Sequence, residues 1–256
     1  MKKSLLDLMN EETNYLFRTK QYEKATESLL DYKQKALLLS DYLLYSTVLS
    51  KLIICYAVLK ENEEETNTID SLLLFLDSIN DNKSQEIIAS MYLNCVSGLC
   101  NNKDYTRALS CLNKAYNLIS ELDDAKIEYY AEYYDELGRY YKSLKNYPKA
   151  VNIYIEAIDL FTKLDSNKSI FVAKNYINLV LTEIYIKSFP VDKIKEHILE
   201  AYKILNEHVD INFTNIPYYT EVLRELKYFD FTDEAEELKE KIDIYNKNKL
   251  KNKATS

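Results

Sequence analysis

The residues able to do chemistry are few, and their spacing does not bring them together. His197 sits in KEHILE and His208 in NEHVD, both acidic helical contexts. Neither forms an H-E-x-x-H pair or a Cys-His-Asp arrangement. Cys55, Cys95, Cys100 and Cys111 lie inside apolar helical patterns with no C-x-x-C pair among them. Two histidines and four scattered thiols make no zinc set, so the expectation is buried, reduced cysteine and no metal or cofactor. Asp123, Asp124 and the run Glu63, Glu64, Glu65 fall at helix starts, where carboxylates suit the positive end of the helix dipole without any catalytic duty. The chain reads as no enzyme.

Composition states which elements must carry whatever these residues do. The chain has 256 residues, 47% hydrophobic and 29% charged, with only two Gly and three Pro. So few backbone breakers leave no room for the turns of a sandwich, a barrel or a Gly-rich phosphate loop, and the fold class is all-α. A formal net charge of −8 argues against a nucleic-acid surface and mildly repels anionic membranes. Behind the Met1-Lys2-Lys3 start, Asp7 and Glu11 interrupt any signal-peptide core, and the apolar run LIICYAVL is bounded by Lys51 and Lys60. The expected location is cytoplasmic.

Internal repetition then organises the chain. Residues 131–164 place Tyr134, Leu137, Gly138 and Tyr141 ahead of Ala150, Tyr154 and Ala157. Weaker copies align Tyr92, Tyr105, Ala108 and Ala115 with Tyr134, Tyr147, Ala150 and Ala157. The position held by Ala150 recurs as Ala25, Ile69, Ala108, Ile194 and Ala235, at intervals of 44, 39, 42, 44 and 41 residues. Six antiparallel helix pairs follow. Their expected helices cover 4–19, 21–39, 41–60, 64–80, 84–101, 104–121, 124–144, 147–164, 168–188, 190–207, 215–228 and 231–247. Residues 1–247 read as a single repeat domain and 248–256 as a flexible basic tail. Small Gly138 and Ala150 permit close helix crossing, and Tyr134, Tyr141 and Tyr154 fill the space between pairs. The remaining tyrosines of the stripe, Tyr129, Tyr130, Tyr133 and Tyr140, are either packing or an exposed aromatic surface suited to recognition.

The pattern in residues 131–164 resembles the tetratricopeptide repeat, lacking only its closing Pro, where Thr162 stands. That resemblance implies a right-handed superhelical solenoid whose first helices line a concave face. It also implies ligand-facing positions: Asn10 and Asn14; Ser97 and Cys100; Glu132, Asp135, Arg139 and Lys142; Tyr176 and Glu183; Arg224 and Lys227. Asn side chains suit an extended peptide backbone, and Arg suits a carboxylate. The long repeats look like those of the peptide-sensing regulators of low-GC Gram-positive bacteria (the Rap/Rgg/NprR/PlcR/PrgX type), without their N-terminal effector module. The expected partner is a peptide or protein segment held in the groove, in a regulatory or signalling role. The alternative is a scaffold acting through outer helix faces or as a homodimer, with Tyr228, Phe229 and Phe231 on the last pair as its patch.

Overall fold

The computed structural model describes residues 3–78, 85–122, 127–164, 169–207 and 216–254. Asp123, Asp124 and His208 lie outside them. The described residues form twelve helices and no strand: α1 Leu5–Arg18, α2 Tyr22–Leu39, α3 Tyr42–Leu59, α4 Asn62–Ser78, α5 Gln85–Asn101 and α6 Tyr105–Ser120, then α7 Ile127–Ser143, α8 Tyr147–Thr162, α9 Ser169–Glu183, α10 Val191–Glu207, α11 Ile216–Tyr228 and α12 Thr232–Ala254. Two compact units divide the chain, residues 1–136 and 137–256, with the division inside α7.

Local signals set the helix ends. Ser4 accepts a hydrogen bond from the Asp7 backbone N–H while the Asp7 carboxylate accepts from Ser4, a capping box that opens α1. Asp41, Asp104 and Asn146 each accept from a backbone N–H three residues on, at the starts of α3, α6 and α8. Pro148 lies in the first turn of α8, where a missing N–H costs nothing. The turns inside five pairs share one device. Lys20, Lys60, Lys103, Lys145 and Asp230 take left-handed φ of 56 to 63°. Around Lys103, for instance, its own N–H reaches the Cys100 carbonyl and that of Asp104 reaches Leu99.

The fifth pair departs from this pattern. α9 ends at Glu183, five residues short of the expected 188, and tight turns carry the chain to Phe189. Phe189 precedes Pro190, whose ring disfavours helical geometry for the residue before it. Pro190 itself stands just ahead of α10 and accepts from Ile194. At the other end, α12 runs on to Ala254, past the Lys247 where the repeat domain was expected to stop.

The repeat positions are where the packing is tightest. Ala25, Ile69, Ala108, Ala150, Ile194 and Ala235 are all buried. In unit 1, α3 packs on α4 and α5, and Leu44, Leu49, Leu52, Ile69 and Leu72 are buried. α3 is long and apolar enough to cross a membrane by length and composition, but eight of its residues, from Leu44 to Tyr56, are buried inside the unit. In unit 2, α9 packs on α8, α10 and α11, and α10 also meets α12. Its core joins Ile177, Val180, Ile198, Leu205, Val222 and Leu238 around Tyr219, whose hydroxyl donates to the Leu205 carbonyl at 3.0 Å. Contacts between helices two apart in sequence, α3 with α5 and α9 with α11, show pair stacked on pair within each unit.

The two glycines mark close approaches. A Cβ on Gly138 would lie 2.6–2.9 Å from ring atoms of Tyr154 on the partner helix α8. Gly138 therefore makes room for a ring, where the sequence suggested simple helix crossing. On Gly98 a Cβ would meet Glu65 Oε1 and Ile69 Cδ1 of α4, each at 2.7 Å. Glu65 is buried there with Oε1 lacking a hydrogen bond among the described residues, and burial raises its carboxyl above the ordinary value.

Two outcomes follow for stability. Gly138→Ala gains helix propensity but drives Cβ into a fully buried ring, so a net loss of about 1–2 kcal/mol is expected in urea unfolding. Glu65 has a folded-state carboxyl raised by burial, so its contribution is complete below the unfolded value and is lost as pH rises through the folded one. Glu65→Gln should then raise the urea midpoint at neutral pH, by about 1 kcal/mol in stability, with the gain gone near pH 4.

Candidate functional site

The site is built from the first helices of the pairs. The residue eleven before each buried repeat position is Asn14, Val58, Ser97, Arg139, Glu183 and Arg224 in turn. This constant offset names one residue on the first helix of each pair.

In unit 1, Asn10 and Ser97 are half-buried and Asn14 is exposed, its Oδ1 accepting from Lys51 Nζ at 3.3 Å. α3 adds Ile54 and Val58, both about half exposed and one turn apart. These two apolar positions were missed from sequence because the second pair carries the weakest repeat signal. The eleven-residue offset from Ile69 points to Val58. Cys100 and Asp135 are buried, so neither lines an open surface, contrary to the expectation for both.

In unit 2 the sequence-derived residues separate into three groups. Glu183 is fully buried, and its carboxylate oxygens lie 2.9 and 3.0 Å from His197 Nδ1 on α10. The Tyr176 ring lies 5.9 Å from the His197 ring, and burial raises its hydroxyl above the ordinary value. Glu183 is thus turned into its own helix pair, because a buried carboxylate needs a hydrogen-bonded partner and α10 supplies it. That corrects its assignment to the ligand-facing set. Arg224 is exposed and held by carboxylates of its own helix, with Nη2 at 2.5 Å from Glu221 and 2.7 Å from Glu225. Lys227 is also exposed.

Arg139 and Lys142 form the third group, one turn apart on α7 and both half-buried. Lys142 Nζ makes no hydrogen bond or ion pair among the described residues. Burial, and secondarily the Arg139 guanidinium, lower its ammonium to about 8, while Glu221 pulls the other way. A half-buried cation beside a second cation is a place where an anionic group gains more than it would on open surface.

Other candidate chemistry is absorbed by packing. All four cysteines are free and buried, with burial pushing Cys55 and Cys111 to about 11 and Cys95 higher still. The tyrosine stripe packs as rings. Tyr116 meets Tyr130 and Tyr133, Tyr140 meets Tyr141, and Tyr129 donates to Glu86. Among the described residues no group of three His, Cys, Asp or Glu is placed to hold a metal. On the last pair Tyr228 is exposed, while Phe229 and Phe231 are half-buried against the core of unit 2.

Comparison with known proteins agrees with this geometry. The tetratricopeptide repeat family model matches residues 87–163. No curated protein sequence matches. Among solved structures, BtubC (BKLC) from P. vanneervenii is 15% identical with a TM-score of 0.61, over 91% of this chain and 92% of that one. The apo form of RapI is 17% identical with a TM-score of 0.58, over 96% and 99%. A putative kinesin light chain of Podosopora anserina with nearly identical TPR-like repeats is 13% identical with a TM-score of 0.55, over 79% and 95%. The fold is all-α and tetratricopeptide-like, as the residue pattern implied.

Lys142 supplies a stability test of the site. Its folded-state value, about 8, lies below the ordinary 10.5, so its contribution is present above the latter and lost as pH falls through the former. Lys142→Met removes that cost. At pH 7 it should raise the melting temperature by about 2–4 °C per kcal/mol recovered, and at pH 10.5 the difference should shrink.

Proposed function

We propose that this chain, a tetratricopeptide-repeat protein, is a non-catalytic binding module that holds a peptide or protein segment against the first-helix face of its pairs. The observation that carries this reading is Lys142, a half-buried ammonium with no ion pair among the described residues, beside Arg139. Keeping such a cation costs stability, and an anionic ligand group offsets that cost. Ligand contacts then sort by chemistry. In unit 2, Lys142 and Arg139 take an acidic side chain or a C-terminal carboxylate; in unit 1, Asn10, Asn14 and Ser97 offer hydrogen bonds to extended backbone and Ile54 and Val58 take apolar side chains. Tyr176 and Arg224 stand on the next two first helices, α9 and α11. Asp135 and Glu183 keep structural roles.

The fold shared with RapI supports a regulatory role in the cytoplasm. Partner recognition in this reading needs neither nucleic acid nor membrane.

Selection from a phage-displayed random peptide library tests the proposal. Recovered peptides should be enriched in Asp, Glu or a free C-terminus, and a synthetic copy at about 100-fold its Kd should stabilise the protein by about 2.7 kcal/mol. Lys142→Glu should weaken binding about tenfold or more. Raising the pH from 7 to 9, through the Lys142 value of about 8, should weaken binding in the same direction. Peptides that bind the wild type and Lys142→Glu equally would refute the anionic contact.

A further inference from the structure

Outside the first-helix face, one edge of unit 2 combines exposed rings with unpaired cations. The turns joining α7 to α8 and α9 to α10 are brought together by Tyr147 and Tyr185, stacked at 5.0 Å with 13° between their planes. Tyr185 is 59% exposed, and Leu144, Ile184 and Val191, close to these two turns in sequence, are further exposed apolar groups. The α11–α12 turn joins the same edge, because Lys195 of α10 lies 5.8 Å over the Phe231 ring. Tyr228, on that turn, is 75% exposed.

Charge on this edge runs against the rest of the molecule. Residues 145–149 and 184–195 hold Lys145, Lys149, Lys187, Lys193 and Lys195 against the single Asp192, in a chain of net charge −8. Lys149 sits over the Tyr141 ring and Lys193 bonds Glu196. Lys145 and Lys187 are exposed and make no ion pair among the described residues.

The complement is present in the same sequence. At the turn from α3 into α4, Glu61, Glu63 and Glu64 are exposed, and their carboxylates make no hydrogen bond or ion pair among the described residues. An apolar centre rimmed by opposite charges is the composition of a protein–protein contact, with Tyr the residue type most able to anchor it.

We propose that the tyrosine- and lysine-bearing edge of unit 2 docks on the acidic α3–α4 turn of a second copy of this chain. The two patches differ, so the contact is heterologous and each copy offers both halves of it. At physiological ionic strength the Debye length is about 8 Å, so the repulsion of two copies at −8 is screened while charges in contact still attract. The contact is independent of ligand binding on the first-helix face.

Sedimentation equilibrium of the full chain over a concentration series tests this. The wild type should show a weight-average mass above the monomer that falls in 1 M salt. Lys145→Glu/Lys187→Glu removes most of the positive charge of the unit 2 edge, and Glu61→Lys/Glu63→Lys/Glu64→Lys makes the α3–α4 turn basic. Each alone should associate about tenfold more weakly or not at all. Their equimolar mixture should associate again, because the intact acidic turn of the first meets the intact basic edge of the second. Far-UV circular dichroism checks folding. Because carboxylates at the start of α4 favour its dipole, Glu63→Lys alone replaces the triple variant if the latter loses helicity. A wild type monomeric at every concentration overturns the proposal. So does either variant associating like wild type, or a mixture that stays monomeric.

Discussion

A helix pair with one apolar face cannot fold alone, and everything else in this molecule follows from how that face is covered. Each pair places a small or compact residue at the same position (Ala25, Ile69, Ala108, Ala150, Ile194, Ala235), and all six are buried. Burial there constrains the rotation of both helices, and rotation decides which way the side chain eleven residues earlier turns, inward for Glu183 and outward for Asn14. Covering one Leu or Ile contributes about 1.5–3 kcal/mol, so a slip in register that exposed several would exceed the whole stability of a unit. The binding face is therefore a by-product of the packing constraint, and it can vary from pair to pair while the core position stays put.

The same constraint explains where polar groups are tolerated inside. Glu183 is fully buried and survives because His197 of the adjoining helix lies within 3.0 Å. Glu65 is buried against Gly98 without such a partner, and Gly98 makes the space its carboxylate occupies. These two carboxylates sit at helix–helix seams, where ordinary repeat packing would place an apolar side chain. Lys142 differs from both because it remains half-buried, on a face that no neighbouring helix of its own pair closes.

Much of the fold was legible in the residues themselves. Near absence of Gly and Pro required helices, and the recurring Ala at intervals close to 42 residues set both their number and most of their ends. Errors fell where the local rule was overridden. α9 ends at Glu183, ahead of the turns that lead to Pro190, and the second pair hid Ile54 and Val58 because its repeat signal is the weakest along the chain. The site was less legible. Asn14 is exposed and Arg139 and Lys142 are half-buried, whereas Asp135, Glu183 and Cys100, placed with them by spacing, are buried.

The sequence by itself determined periodicity, because hydrophobic spacing and helix caps act over a few residues and need no knowledge of distant neighbours. It could not determine which polar side chains turn inward, because that depends on a partner 14 residues away, as with Glu183 and His197. Nor could it show that Tyr147 and Tyr185 stack into one exposed edge, since their meeting is fixed by how pair sits on pair. The solenoid was written along the chain. The half-burial of Lys142 and the exposure of its charged turns were decided by tertiary packing, which alone sets solvent exposure and with it the strength of every charge.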